Sequence, residues 1–230
     1  MTDIEAILAS PGRSAKARAM DGPRRAVDMI KAAGLKPDQN ILELEPGKGW
    51  FTEILLRLTG PEGHLTVQQP GPLDFFFGKD ARKLLQRAAL PNARYSDAPF
   101  TSLSAADATI DRVLWIQGPH EIWFEPKPGV SFGDPQAIFA EVKRVLKPEG
   151  IFFVVDNLAK SGTPQQEASE LHRSEPQILA AMVEQAGFNL THAETDWIVS
   201  DVDTLDIPTF TPGIHLRTTQ YMHKYRLAGE

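Results

Sequence analysis

Asn40-Ile-Leu-Glu-Leu-Glu-Pro-Gly-Lys-Gly-Trp-Phe-Thr52 reads as a strand, a turn and the start of a helix. Ile41 to Leu44 is a short apolar run suited to a buried strand. Glu45-Pro46-Gly47-Lys48-Gly49 holds two glycines and a proline, which neither a helix nor a strand absorbs. From Trp50 to Leu58 the apolar residues Phe51, Ile54, Leu55 and Leu58 recur at helical spacing. A strand that turns through glycines into a helix cradles nucleotides: glycine admits close backbone approach, and the helix start supplies free N–H donors.

Outward from this stretch the same alternation repeats. His64–Gln69, Asn92–Ser96, Ile110–Ile116 and Ile151–Val155 are further predicted strands. Between them, helices are expected over Leu73–Ala89, with Phe76, Leu84, Leu85 and Ala88 available for burial, and from Asp134-Pro135 to Leu146. Lys147-Pro-Glu-Gly150 is expected to be a turn. Strands alternating with helices imply a parallel sheet with right-handed crossovers. Residues 157–170 are polar and expected to be mobile. Ser174-Glu-Pro-Gln177 has the form of a capping box before a helix ending at Gly187. Phe188–Ser200 and His215–Tyr225 are two last strands, expected as an antiparallel pair. Ahead of the first strand, Thr2-Asp-Ile-Glu5 matches a capping box and Asp21-Gly-Pro-Arg24 a helix start. Arg13, Arg18, Arg24 and Arg25 make that region basic, either as a solvated helix face or as part of a cap over a ligand cleft.

The 230 residues suit one domain with a sizeable core. A net charge of −6 argues against a nucleic-acid partner. With no cysteine in the chain, disulfides, thiolate metal sites and cysteine nucleophiles are all excluded. The charged N-terminal stretch lacks the apolar core of a signal peptide, and no apolar run approaches a membrane span. A cytoplasmic protein without a membrane partner is therefore expected.

In an open α/β sheet, ligands bind beyond the carboxyl ends of the strands. The residues there are Glu45, Gly47 and Gly49, then Gln69, then Asp97 and Ala98, then Gln117 to Glu121, then Asp156 and Asn157. Of these, His120 is the best candidate base, because an imidazole titrates near neutrality. Glu121 beside it can orient it. Trp115, Trp123 and Phe124 line a pocket or fill the core. His172-Arg173 precedes a helix, where either can gate the cleft or bind an acid. No His, Asp or Glu group has metal-ligand spacing along the chain, so no metal is expected.

The acid Glu43 followed by Glu45-Pro46-Gly47-Lys48-Gly49 resembles motif I of the class I S-adenosylmethionine-dependent methyltransferases, with Glu45 replacing the first glycine. From about residue 10 onward the chain is similar to a group of bacterial predicted methyltransferases with a Pro-Gly-x-Gly-Trp loop and a Leu-His-Arg before a late helix. The resemblance implies a doubly wound, mostly parallel seven-stranded sheet. Residues 1–38 would form an N-terminal helical cap and 39–230 the catalytic core of a single domain. It implies S-adenosylmethionine as cofactor, with the loop Glu45, Pro46, Gly47 and Gly49 under its methionine part and Glu43 ordering the loop or reaching the amino group through water. Gln69 would face the ribose, without the charge of the acid usual there. Asp97 and Ala98 would meet the adenine. Gln117 would lie beside the cofactor, and His120 and Glu121 would sit on the acceptor side with Trp123, His172 and Arg173. The activity expected is methyl transfer to a small-molecule acceptor by a monomer or homodimer. A methyltransferase-like protein that binds a ligand without transferring methyl is the alternative, favoured by Glu45 and Gln69. A nicotinamide oxidoreductase is disfavoured, since Thr52 stands where the last glycine of that fingerprint belongs and Gln69 where its acid belongs.

Overall fold

The computed structural model describes residues 3–229. Seven strands form one sheet in the order β3-β2-β1-β4-β5-β7-β6: β1 (Asn40–Leu44), β2 (His64–Gln68), β3 (Ala93–Ser96), β4 (Ile110–Ile116), β5 (Leu146–Asn157), β6 (Phe188–Ile198) and β7 (Gln220–Leu227). The first five are mutually parallel, and β7 pairs antiparallel with both β5 and β6. The strand order reverses between β1 and β4, where an open α/β sheet offers its ligand crevice.

Because successive side chains in a strand point to opposite faces, each buried strand feeds two cores. Ile41, Leu114 and Phe153 pack on one side with α3 (Ala26–Ala32) and α4 (Trp50–Leu58). Leu42, Val113, Trp115 and Phe152 pack on the other with α7 (Pro135–Val145) and α9 (Pro176–Gln185). Burial on both faces explains why these strands read as unbroken apolar runs.

The N-terminal segment carries α1 (Ile4–Ala9) and α2 (Ala15–Ala19) ahead of α3. Asp3 caps α1 through its side chain, which accepts from Ala6 N; Thr2, expected to open a capping box, lies outside the described residues. Asp21 does not cap a helix, since residues 21–25 form turns before α3. Its carboxylate instead pairs with Arg13 and accepts from Trp50 Nε1 at 3.0 Å. Arg13 is almost fully buried. Arg24 lies 4.6 Å over the Trp50 ring and hydrogen-bonds the Gln117 side chain. Arg13 and Arg24 thus fasten the N-terminal helices to the glycine turn and the end of β4 rather than lining a solvated face.

Other expectations are revised. The helix expected over 73–89 starts earlier, as α5 (Gly71–Leu73), and passes through a π turn (Asp74–Gly78) into α6 (Lys79–Ala88). The π turn shifts the helical phase. Phe76 consequently faces outward, 65% exposed, while Phe77 packs on the core. Lys147–Gly150 does not end a strand: β5 runs through it as a bulge, with Ile110 opposite Leu146 and Arg112 opposite Ile151. The polar stretch 157–170 contains α8 (Gln165–Glu170). Helix α9 forms, but not from a capping box: Glu175 is its N-cap without a side-chain bond, because the Ser174 hydroxyl is used elsewhere. Strand β7 begins at Gln220 rather than His215.

Candidate active site at the ends of strands β1, β4 and β5

The glycine turn after β1 has the backbone its composition dictates. Gly47 and Gly49 adopt φ of 54° and 80°, and Glu45, in the place of a glycine, also takes a left-handed φ of 55°. Gly49 is the N-cap of α4, and a side chain there would strike Leu84 Cδ2 at 2.7 Å. Around Gly47 nothing stands within 4 Å of where a Cβ would lie, so its open side is free for a ligand. Glu43 points away from the turn, buried, accepting from Thr52 Oγ1 at 2.7 Å. Burial lifts its carboxyl to about 8 against the pull of that hydrogen bond. It therefore ties β1 to α4.

Gln69 is fully buried, its Oε1 accepting from Gly47 N at 3.2 Å while Nε2 has no partner among the described residues. An unpaired buried donor is costly unless a ligand oxygen satisfies it. At β3 the picture differs from expectation. Asp97 is exposed and lies 3.6 Å from Arg82, and the Ala98 N–H donates to Ser96 Oγ at 3.2 Å. Gln68, not singled out in the sequence, staples that loop: its Nε2 donates to the carbonyls of Ala98 and Pro99 and its Oε1 accepts from Ser104 N.

The loop after β4 is not open chain but a 3-10 helix, Pro119–Trp123, which carries His120 and Glu121 inward. Asp156, at the end of β5, receives His120. Its carboxylate accepts from His120 Nδ1 at 2.8 Å, His120 N at 2.9 Å, Asn157 N at 2.9 Å and Ser174 Oγ at 2.5 Å. Tyr221 closes the chain, its hydroxyl 2.7 Å from Ser174 Oγ. A carboxylate only accepts, so Nδ1 carries the His120 proton and Nε2 is turned outward. Nε2 meets His172 Nδ1 at 3.2 Å and Glu121 Oε1 at 3.5 Å, and His172 Nδ1 stands 3.5 Å from the same oxygen. Burial penalises a charged His120, but Asp156 and Glu121 outweigh it and raise the imidazole well above its ordinary value. Burial likewise opposes charge on Glu121, yet His120 and His172 hold it at about 2. Glu45 goes the other way: burial, then the charge of Glu121, raises its carboxyl well above normal. Negative charge is thus concentrated on Glu121.

Glu45 joins this cluster to the glycine turn. Its Oε2 accepts from Trp115 Nε1 at 3.0 Å, and both crowd against Gly118. Gln117, at φ 57°, donates from its backbone to Val155 O. Trp123 is half-buried against the second core. His172, at φ 55°, is partly exposed between Phe124 and Phe210, the latter ring 4.8 Å away. Arg173 departs from expectation. It is fully buried and paired with Asp203 at 2.7 and 3.0 Å, with further bonds to the carbonyls of Leu158 and Ile207. It does bind an acid, but one from its own chain, and no face remains for substrate.

The turn, Gln117, His120, Glu121 and His172 are therefore brought together, while Asp97 stands at the rim and Arg173 behind. Two features escaped the sequence. Asp156 was identifiable only as a strand end, although its place beside β4 hints at a partner for His120. The His120–Glu121–His172 group is assembled from positions some fifty residues apart and shows no spacing along the chain.

Comparison with known proteins agrees with this geometry. Residues 42–154 match the model of a methyltransferase domain. The ubiquinone/menaquinone biosynthesis C-methyltransferase UbiE of Teredinibacter turnerae is 25% identical over 143 residues, which cover 62% of this chain and 53% of that protein. The chain thus spans about half the length of that curated relative. Among solved structures, a SAM dependent methyltransferase from Aquifex aeolicus superposes with a TM-score of 0.63 at 16% identity, over 99% of this chain and 100% of the other. An arsenic(III) S-adenosylmethionine methyltransferase from Chlamydomonas reinhardtii gives 0.58 at 17% identity, over 98% and 73%. The chain thus has the fold of solved structures named as S-adenosylmethionine-dependent methyltransferases, and its central residues match a methyltransferase domain. The residues fit S-adenosylmethionine along its methionine and ribose parts, where the open Gly47 and the orphaned Gln69 Nε2 would meet it. Where the resemblance puts the adenine, the Ala98 N–H is already engaged by Ser96 and Asp97 lies beside Arg82. No helix among the described residues is long and apolar enough to cross a membrane.

Proposed function

We propose that this chain transfers a methyl group to a small-molecule acceptor, and that His120 takes the acceptor's proton. The Asp156–His120 pair at the end of β5 and β4 carries the reading: it holds a proton on Nδ1 and turns Nε2 toward the crevice beside the glycine turn, and because Asp156 and Glu121 raise the imidazole, Nε2 offers its lone pair on the alkaline side of neutrality. When bound, S-adenosylmethionine supplies an electrophilic methyl group, so the protein's task is to align the acceptor and deprotonate it. His120 Nε2 accepts that proton, and Asp156 behind Nδ1 stabilises the imidazolium that forms. Glu121 and His172 bound the acceptor's side of the cleft, with Phe124, Phe210 and Trp123 offering an apolar wall. Residues 1–38 act as a cap over the same single domain, held by Arg24 on Gln117.

The net charge of −6 supports a small acceptor over nucleic acid, as does the relative named for quinone biosynthesis. A cytoplasmic monomer or homodimer, of the bacterial kind the sequence resembles, fits the charged composition. Calorimetry with S-adenosylmethionine, its demethylated product and a nicotinamide dinucleotide tests the binding: heat is expected from the first two only. With an acceptor in hand, His120→Ala should lower turnover about 10²–10⁴-fold and leave cofactor affinity nearly unchanged. Equal turnover by the variant would refute the role of His120.

A further inference from the structure

His120, Glu121 and His172 are arranged as no general base requires. One atom from each, Nε2, Oε1 and Nδ1, forms a triangle with sides of 3.2, 3.5 and 3.5 Å. Ligands about 2.0–2.2 Å from a tetrahedral ion stand about 3.3–3.6 Å from one another. A point about 2.1 Å from all three atoms lies about 0.7 Å out of their plane, as the vertex geometry of a tetrahedron demands. We propose that these three side chains form a site for a divalent first-row metal ion, zinc being the best match to two imidazoles, one carboxylate and this spacing.

Three independent observations point to a cation here. The first is Glu121 Oε2: the residue is 3% exposed, and this oxygen has no hydrogen-bond partner among the described residues. A buried carboxylate oxygen left bare is costly, and a metal ion beside Oε1 removes the cost. The second is charge. Glu121 and Asp156 both face His120, yet no Arg or Lys pairs with either of them among the described residues. The third is the support behind the ligand. Asp156 accepts from His120 Nδ1, the arrangement by which metal-binding imidazoles are oriented and made more basic. His172 is partly exposed, so the site can be reached from solvent.

Three protein ligands leave a fourth position, which defines a catalytic rather than a structural metal site. The inference rests on the small-molecule acceptor reading given above and deepens it, with the ion taking over from His120 the task of promoting deprotonation. In the loaded protein Nε2 is a ligand, and an acceptor hydroxyl or thiol held at the open position gives up its proton more readily because the ion stabilises the anion. The acceptor class is then a molecule with an oxygen or sulfur donor able to bind the ion, and the released proton passes to solvent.

The test needs neither acceptor nor cofactor. The full chain is stripped with a chelator and titrated with cobalt(II), as a spectroscopic stand-in, and with zinc by calorimetry. One ion per chain is expected, with the visible bands of four-coordinate cobalt. His172→Ala and Glu121→Gln should each abolish those bands, and Asp156→Asn should weaken binding about 10–100-fold. His172→Cys, which keeps a ligand at this position, should restore binding and add cobalt–thiolate charge-transfer absorption. Circular dichroism melts establish that each variant is folded. Absence of stoichiometric binding by the native chain, or binding that persists in both folded variants, would overturn the proposal. S-adenosylmethionine binding by the stripped protein is measured in parallel, so failure of the metal site and failure of the methyltransferase reading give different results.

Discussion

Gly118 shows how one absent side chain sets the geometry of the site. A Cβ there would lie 2.1 Å from Glu45 Oε2 and 2.2 Å from Trp115 Nε1. The glycine therefore lets the Glu45–Trp115 hydrogen bond pass directly beneath the chain that carries His120. Gly118→Ala should push both groups apart and cost about 1–3 kcal/mol. For a chain of this size that is a melting point lower by several degrees, about 2–4 °C per kcal/mol, measurable by calorimetric scanning. An unchanged melting point would mean that the loop slides without resistance. Gln69 makes a similar point: the sequence places it at the ribose, but its oxygen is already committed to Gly47, and only its nitrogen remains for a ligand.

At the scale of elements, what was legible in the sequence was what local chemistry determines. Ile110–Ile116 matched its predicted bounds, and α4 began at Trp50 and ended at Leu58 as its apolar spacing required. Glycines 47 and 49 fell where left-handed backbone was needed. What was not legible depends on partners remote in the chain. Ser174 has a capping sequence, but its hydroxyl is claimed by Asp156 across the sheet. Phe76 sits at a core spacing until a π turn rotates it outward. Arg173 looks like a substrate anchor until Asp203, thirty residues on, fills its guanidinium. That ion pair locks the segment between β6 and β7 against the chain before α9, and Asp203 also accepts from Thr219 N at 2.8 Å. Breaking a fully buried pair strands one charge, so Asp203→Asn should cost about 3–5 kcal/mol. Limited proteolysis should then cut within 199–219 far faster than in the native chain, whereas unchanged protection would show that the pair does not hold this segment.

For the whole molecule, the buried groups of β7 set the response to acid. His223 is 2% exposed, its Nδ1 is 2.7 Å from the Tyr225 hydroxyl, and burial lowers it from 6.5 to about 4. The unfolded chain binds this proton more readily than the folded one. The contribution of a neutral His223 is therefore complete above about pH 6.5 and is lost as the pH falls toward 4, on the order of 1–3 kcal/mol in total. Denaturant melts from pH 7.5 to 4.5 should show stability falling with acid, and His223→Gln should flatten that slope relative to the native chain. A slope that survives the substitution would assign the acid response to other groups. The left-handed backbones have a consequence of a different sort. Glu45, Gln117 and His172 adopt φ of 55°, 57° and 55°, a region in which any residue but glycine is held under strain, and all three ring the same crevice. Glycine at each would relax the backbone and delete a side chain that reaches Trp115, Arg24 or His120. Stability alone would favour glycine at all three; the crevice instead holds a chemical group at each, at a cost in backbone strain.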